Sequence, residues 1–367
     1  MESTTRAAIA FDKSGPLEHH DVELSPLKPD EVLVEVKACS ICHTDIKFRQ
    51  RLQLPAVFGH EGVGTVVELG SAVTDFETGQ RVVMSYPFCN QCRHCASERY
   101  WQCEDIFKLK FSGGRRDGSH TMSLNGSPLT AGFFQQSSFA TRAICLADAL
   151  VPVDTTMPDE LLAALPCGIQ TGAGAVLNTF GANAGDSLLV VGAGTVGLSA
   201  VLAARHIGVS PIICADINAD RLRLARKLGA THTVDCSDQG LVSTIKDVIS
   251  SGVSLALDAS ATVMGLKSCI SALAPGGQVG IVSFPDEGRE FLFSTRELFQ
   301  KIASIKSIIQ GSSVPREFIP RLIDLYQQGE FDYVDLITTY DFEDINQAMA
   351  DMKSGKAIKP VLRMGKS

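Results

Sequence analysis

The stretch Ser187–Ala204, SLLVVGAGTVGLSAVLAA, carries no charge, and it constrains the fold more than any other part of the chain. An apolar run of this length suits either a membrane-crossing helix or a buried soluble element. Gly192, Gly194 and Gly197 lie in its middle. Glycines so closely spaced disfavour one long helix and read as a buried strand, a tight turn and a buried helix. A Gly-x-Gly-x-x-Gly turn between strand and helix lets the backbone approach a pyrophosphate at the helix N-terminus. Asp216 ends the next apolar run, PIICAD, at the spacing where a carboxylate meets the adenosine ribose hydroxyls. That carboxylate repels a 2′-phosphate, so NAD is favoured over NADP, a preference that Arg221 softens. Asp216 also suits the N-cap of the helix DRLRLARKL that follows.

The surrounding sequence agrees with this turn. From about Pro166, apolar runs alternate with helical patterns: SLLVVG and a helix to about Gly208, PIICAD and DRLRLARKLGA, SLALDAS and a helix through Leu273, then GGQVGIVSF. Such alternation signals βαβ units and a parallel sheet. The first third is β-rich instead. EVLVEVK (Glu31–Lys37) alternates with the period of a half-buried strand, and GTVVELG (Gly64–Gly70) and QRVVM (Gln80–Met84) read as further strands of a small antiparallel barrel or sandwich. After about Ile309, two amphipathic helices (Phe318, Leu322, Leu325 and Phe342, Ile345, Met349) lead to a closing strand, IKPVLRM. With 367 residues, more than one domain is expected. The boundaries fall at 1–166 for a catalytic β-rich domain, 167–308 for a dinucleotide-binding domain, and 309–367 for a return to the first.

A formal charge of -8 and the lack of a basic stripe argue against a nucleic-acid partner. MESTTRAAIAF lacks the long apolar core of a secretory signal, and the final GKS matches no lipidation motif, so a cytoplasmic protein without membrane attachment is expected. Eleven cysteines in such a chain favour metal binding and free thiols over disulfides.

Cys89, Cys92, Cys95 and Cys103 follow C-x2-C-x2-C-x7-C within a lobe at about 86–106. Four thiolates on one loop close a tetrahedral zinc site with no open position, which makes it structural. A second constellation lies in CSICHTDIKFRQRLQLPAVFGHEGVG, Cys39–Gly64. Cys42 and His60 suit two ligand positions of a catalytic zinc, and Asp45 and Glu61 could orient or tune it from behind. Cys167, in LPCGIQTGAGA where the two textures meet, is a sensible third ligand. Gly59, Gly62 and Gly64 run into a strand and not a helix, so they read as close-packing positions around His60 and not as a phosphate loop.

These motifs resemble, in order and over essentially the whole chain, the zinc-dependent medium-chain alcohol dehydrogenases. The resemblance rests on Cys42-His43-Thr44-Asp45, Gly59-His60-Glu61-Gly62-Val63-Gly64, the four-cysteine lobe, Cys167-Gly168 and GAGTVG. Within the family, CHTD, SYPFC and FFQQSSFA are closest to the benzyl- and aryl-alcohol branch. It implies a Rossmann-type doubly wound parallel sheet plus a β-rich, GroES-like catalytic domain. It also implies two zinc ions and NAD per chain, and a homodimer or homotetramer.

The resemblance assigns Cys42, His60 and Cys167 to the catalytic zinc, with Asp45 and Glu61 beside them. Thr44 matches the hydroxyl that accepts the substrate proton, His43 and Lys359 match cationic contacts to the cofactor phosphates, and Thr171 lies near the nicotinamide. Where many members carry a proton-relaying histidine, this chain has Lys47. Ser85 matches a pocket position, and a small residue there leaves room for a bulky alcohol. The expected reaction interconverts a primary alcohol, aromatic or allylic, and its aldehyde, with zinc as Lewis acid and a hydride passing to the nicotinamide. The competing readings are a redox-neutral enzyme that uses bound NAD transiently, or a cofactor-binding scaffold protein.

Overall fold

The computed structural model describes residues 4–236, 240–283, 290 and 292–365. The chain divides into two compact units. One comprises Met1–Cys167, Val314–Asp324 and Val334–Ser367, and the other Gly168–Ser313 and Leu325–Tyr333.

The first unit is built on two sheets. Glu31–Ser40 is the centre of the larger, seven-stranded one: it pairs with Gly62–Leu69, Arg142–Leu146 and Lys359–Arg363, all antiparallel. This strand buries Val32, Val34 and Val36 on one face, while Glu35 and Lys37 on the other stay partly or fully exposed, as the alternation in EVLVEVK implies; Leu33 is buried on that second face as well. The sheet continues through Arg81–Met84 to Leu150–Pro152 on one side and to Ile337–Asp341 on the other. The pairing of Ile337–Asp341 with Lys359–Arg363 is parallel, a departure from the all-antiparallel expectation. The helix Ile345–Ser354 joins those two strands, as a parallel crossover requires. The smaller sheet runs Ala56–Val57, Thr4–Ala10, Glu18–Leu24, Met122–Leu124 and Ser127–Pro128.

In the second unit six parallel strands lie in the order His232–Asp235, Ile212–Asp216, Leu188–Val191, Val253–Asp258, Leu273–Ile281, Ser304–Ser307. This is the doubly wound order of a dinucleotide-binding sheet. Its core gathers Leu189, Val191, Ile213, Val253, Ile270 and Val279 from strands and helices together. Each fully buried aliphatic side chain contributes about 1.5–3 kcal/mol. The first helix, Thr195–His206, buries the run from Gly197 to Ala204, which accounts for the missing charges in Ser187–Ala204. Among the described residues no helix is long and apolar enough to cross a membrane.

Three elements had no clear signal in the sequence: His232–Asp235, Leu241–Val248 and Ser304–Ser307. The first buries only Val234, so no alternation shows. Leu273–Ile281 starts ahead of the expected GGQVGIVSF, whose last residue, Phe284, lies outside the described residues. Leu325–Tyr333, expected with the first unit, packs with the second: Phe331 and Tyr333 are fully buried and His206 pairs with Glu330 at 3.2 Å.

Candidate active site

The strand Glu31–Ser40 and its partner Gly62–Leu69 are paired at Cys39 and Gly62. One chain leaves this pair toward Cys42, and the other arrives through His60 and Glu61. Cys42 is the N-cap of the short helix His43–Arg49. Asp45, three residues on, accepts from the Cys42 backbone N–H at 2.8 Å with Oδ2, while Oδ1 takes the Gly59 N–H at 3.1 Å and lies 2.9 Å from His60 Nδ1. One carboxylate therefore ties the helix start, the glycine turn and the imidazole. Gly59, at φ +90°, has no room for a side chain, since an added Cβ would lie 2.4 Å from the Phe139 nitrogen. A Cβ on Gly64 would likewise collide with the Glu35 carbonyl oxygen.

Cys167 arrives on a wide helical turn, Leu165–Ile169, with π-type hydrogen bonding. Such turns re-aim side chains and are frequent at functional sites. The result brings one donor atom each from Cys42, His60, Glu61 and Cys167 within 4.8 Å of one another. His60 Nδ1 is engaged by Asp45, which leaves Nε2 facing the cluster. Among the described residues this Nε2 and Glu61 Oε1 are buried with no hydrogen-bond partner, 3.9 Å apart. Two buried polar atoms left without partners are costly, and a cation between them would satisfy both. Two thiols, an imidazole and a carboxylate match the donors of a catalytic zinc. The residues fit the metal.

The electrostatics point the same way. Hydrogen bonding from Cys167, with help from His60 and Lys359, pulls the Cys42 thiol well below its usual range, and the same contact pushes Cys167 well above it. Burial lowers His60, but Asp45 and Cys42 outweigh it and push the ring up to about 10. Protons are thus held where a divalent cation would displace them. Glu61 is fully buried, and Ser40 and Lys359 hold its Oε2. Burial drives its carboxyl up against the pull of Lys359. Lys359 itself, lowered by burial, is raised further by Glu61, Cys42 and Cys167. Lys359, expected at the cofactor phosphates, is 1% exposed and paired with the metal-side carboxylate of Glu61. Glu61, expected behind the ligands, stands among them. His43 is exposed at the start of its helix, and Thr44 Oγ1 lies 3.5 Å from Cys42 Sγ.

Cys89, Cys92, Cys95 and Cys103 form the second cluster, with sulfurs again within 4.8 Å of one another. Cys89–Cys95 and Cys92–Cys95 are 3.8 and 3.6 Å apart. A tetrahedron with Zn–S bonds of about 2.3 Å has edges of about 3.8 Å. Backbone N–H groups of Gln91 and Cys92 point at Cys89 Sγ, and that of Cys89 at Cys103 Sγ, as metal-bound thiolates require. Among the described residues all cysteines are free of disulfides.

In the second unit the three glycines divide their work. Gly192 sits at φ +102° beside Ala259 and Ser260, and a Cβ on Gly197 would lie 1.9 Å from the Gly192 carbonyl oxygen. Gly194, the N-cap of Thr195–His206, has open space where a Cβ would stand. Open space at a helix start is what a pyrophosphate would need there. Asp216 accepts from Ala193 N at 2.6 Å and Asn218 N at 2.8 Å, so it braces the same turn. The helix N-cap is Asn218 and not Asp216: Asn218 Oδ1 accepts from Asp220 N and Arg221 N. Among the described residues Arg221 Nε is buried without a hydrogen-bond partner. Thr171 is buried in the helix Gln170–Gly174.

Sequence reasoning missed the wall beside the metal cluster. Phe134, at φ +52°, stacks on His60 with centroids 4.3 Å apart. A left-handed backbone on a bulky residue costs about 1–3 kcal/mol, and such strain gathers at functional sites. Gln136 clamps the wall, donating to the carbonyls of His60 and Ser85, both at 3.1 Å. Lys110 lies behind Phe134. The motif FFQQSSFA marked this loop only as a likeness; its turn conformation carries no signal in residue type.

The alcohol dehydrogenase GroES-like domain family matches residues 28–154, and the zinc-binding dehydrogenase family residues 195–328. The chain is similar to the geraniol dehydrogenase of Castellaniella defragrans, 39% identical over 98% of this chain and 97% of that one. Among solved structures it resembles an alcohol dehydrogenase zinc-binding domain protein from Burkholderia ambifaria (TM-score 0.96, 39% identity, 99% of each chain). It also resembles the benzyl alcohol dehydrogenase of Acinetobacter calcoaceticus (TM-score 0.95, 38% identity, 99% of each chain). The chain belongs to the zinc-dependent medium-chain alcohol dehydrogenases, and is an enzyme of alcohol oxidation and carbonyl reduction with zinc and NAD as its cofactors.

Proposed function

We propose that this enzyme interconverts a primary aromatic or allylic alcohol and its aldehyde, with Cys42, His60 and Cys167 holding the catalytic zinc. The observation that carries the reading is the buried, partnerless pair His60 Nε2 and Glu61 Oε1 between two thiols, walled by the Phe134 ring. Zinc there supplies Lewis-acid polarisation of an alcohol, and NAD supplies the hydride acceptor. The chain's own residues do the rest. Asp45 fixes the His60 tautomer, Phe134 and Tyr86 offer flat apolar surface, and Thr44 Oγ1 takes the alcohol proton. Ser85, small and buried with its Oγ unpartnered among the described residues, would leave space for a ring. Two similar proteins are named for benzyl alcohol and geraniol, which supports the same substrate class.

The domain roles follow: the first unit carries the chemistry, and the second binds NAD through Gly192, Gly194, Gly197 and Asp216, with Arg221, Thr171 and His43 as further cofactor contacts. A cytoplasmic setting suits the reduced cysteines. A homo-oligomer formed through the edge strand Ser304–Ser307 is supported by Phe299 and Ile302, just ahead of it in the chain, which are 85% and 78% exposed. An exposed apolar sheet edge invites a two-fold copy of itself. Light scattering should return at least a dimer mass, and a monomer would refute this assembly.

The test of the activity is a screen of benzyl, allylic and short aliphatic alcohols with NAD and NADP, followed at the reduced-nicotinamide absorbance. Aromatic and allylic alcohols with NAD should give the highest kcat/KM. Equal rates on ethanol would refute the substrate class, and product without net reduced cofactor would favour the redox-neutral reading. In the same screen Asp216→Ala should shift preference toward NADP by about tenfold to a hundredfold, since a charge-assisted hydrogen bond contributes about 1.5–3 kcal/mol.

A further inference from the structure

Lys110 is 3% exposed, on the short helix Ile106–Phe111. Its ammonium stands over two ring faces, 5.0 Å from the Tyr86 centroid and 5.1 Å from that of Phe134. Phe134 in turn stacks on His60, so Lys110 is one ring away from the metal-side imidazole. Among the described residues it has neither a carboxylate nor a hydrogen-bond acceptor. A buried cation with three unused donors is costly, and ring faces recover only part of the loss. The helix is fixed in place: Phe111 stacks on Phe48 at 3.7 Å, and the Arg115–Glu31 pair, at 2.6 and 2.7 Å, anchors the following loop. Lys110 is thus held against the Phe134 and Tyr86 rings and does not swing to solvent.

We propose that Lys110 is a specificity-determining residue whose missing partner is the substrate: a carboxylate at the end of an aromatic or allylic alcohol remote from its hydroxyl. This rests on the reading of the site given above and narrows its substrate class. Burial pulls the Lys110 ammonium down to about 7 against the pull of Cys167 and Cys103. An anionic occupant restores the charge that burial opposes. Ser85, next to Tyr86 in the chain, has a buried Oγ that is unpartnered among the described residues and would add a second polar group for such a ligand.

The competing role is that of counter-charge to the four thiolates near Cys103, and the two predict different results. With zinc-loaded enzyme and NAD, kcat/KM for 4-(hydroxymethyl)benzoate should exceed that for benzyl alcohol. Lys110→Met should lower the first by about thirtyfold or more, the cost of removing one partner of a buried charge pair. The loss on benzyl alcohol should be clearly smaller, and Lys110→Arg should restore part of the loss on the carboxylate. Calorimetric titration of 4-formylbenzoate and benzaldehyde should show the same selectivity in binding. Equal use of the two alcohols by the wild type, an equal loss on both in Lys110→Met, or loss of zinc and melting temperature without a change in selectivity would each overturn the proposal. If neither alcohol turns over, the substrate class proposed above fails, and the titration alone decides the role of Lys110.

Discussion

Cys42→Ser is expected to abolish turnover and leave the fold standing. Zinc content should fall from two ions per chain to one. Serine is a good N-cap, so the helix His43–Arg49 keeps its start, and Asp45 still holds the backbone N–H of residue 42. What disappears is the thiolate. A serine hydroxyl is a poor zinc ligand at neutral pH, and His60 Nε2, Glu61 Oε1 and Cys167 are left as an incomplete set. Mutating a group merely behind a metal ligand costs about 10–100-fold, so loss of the ligand itself should exceed that in kcat/KM. Cys95→Ser makes the contrast. It should remove the other zinc, lower the melting temperature and alter the fluorescence of Trp101, the single tryptophan, two residues before Cys103. Elemental analysis with activity and melting curves separates the two. A Cys42→Ser protein that keeps two zincs and its turnover would overturn the assignment.

The difference in what could be read beforehand has a physical origin. Cys42, His60, the four-cysteine lobe and the glycine turn were legible because metal and phosphate chemistry demands particular residue types at short spacings. Asp216 was legible because it ends a strand at a fixed distance from that turn. The bracing of Ala193 and Asn218 by its carboxylate was not, nor was the passing of the helix cap to Asn218, since several polar residues there can serve either purpose. Lys359 shows the sharper limit. Its pairing with Glu61 joins positions 298 residues apart, and only the antiparallel register of Lys359–Arg363 on Glu31–Ser40 brings the two together. Phe134 and Lys110 escaped notice for a related reason: a left-handed turn and a short helix aim them inward, and nothing in FFQQ or FKLKF specifies that direction. Chemistry carried by neighbours in sequence was visible, whereas chemistry assembled by tertiary contact was not.

Thr44→Ala should lose most of the activity, by about 10²–10⁴-fold in kcat, the range for removing a group that moves a proton in the transition state. Thr44→Ser should keep it. Oxidation releases the hydroxyl proton inside a buried site, and Thr44 Oγ1, 3.5 Å from Cys42 Sγ, is a hydroxyl placed beside the ligand cluster. A hydroxyl accepts one proton while donating another, so it relays charge without being charged itself. Serine preserves that function and alanine does not, which separates proton transfer from packing, where loss of the methyl would matter too. Beyond Thr44 the chain offers Lys47, half-buried on the same helix. Amines of this class are protonated at neutral pH and make poor acceptors unless strongly desolvated. Lys47→Ala should therefore change kcat by less than about 10²-fold, with water or His43, exposed at the helix start, completing the path. A larger loss in Lys47→Ala, recovered by adding small amines, would make the lysine the exit base and move the relay one helical turn along from Thr44.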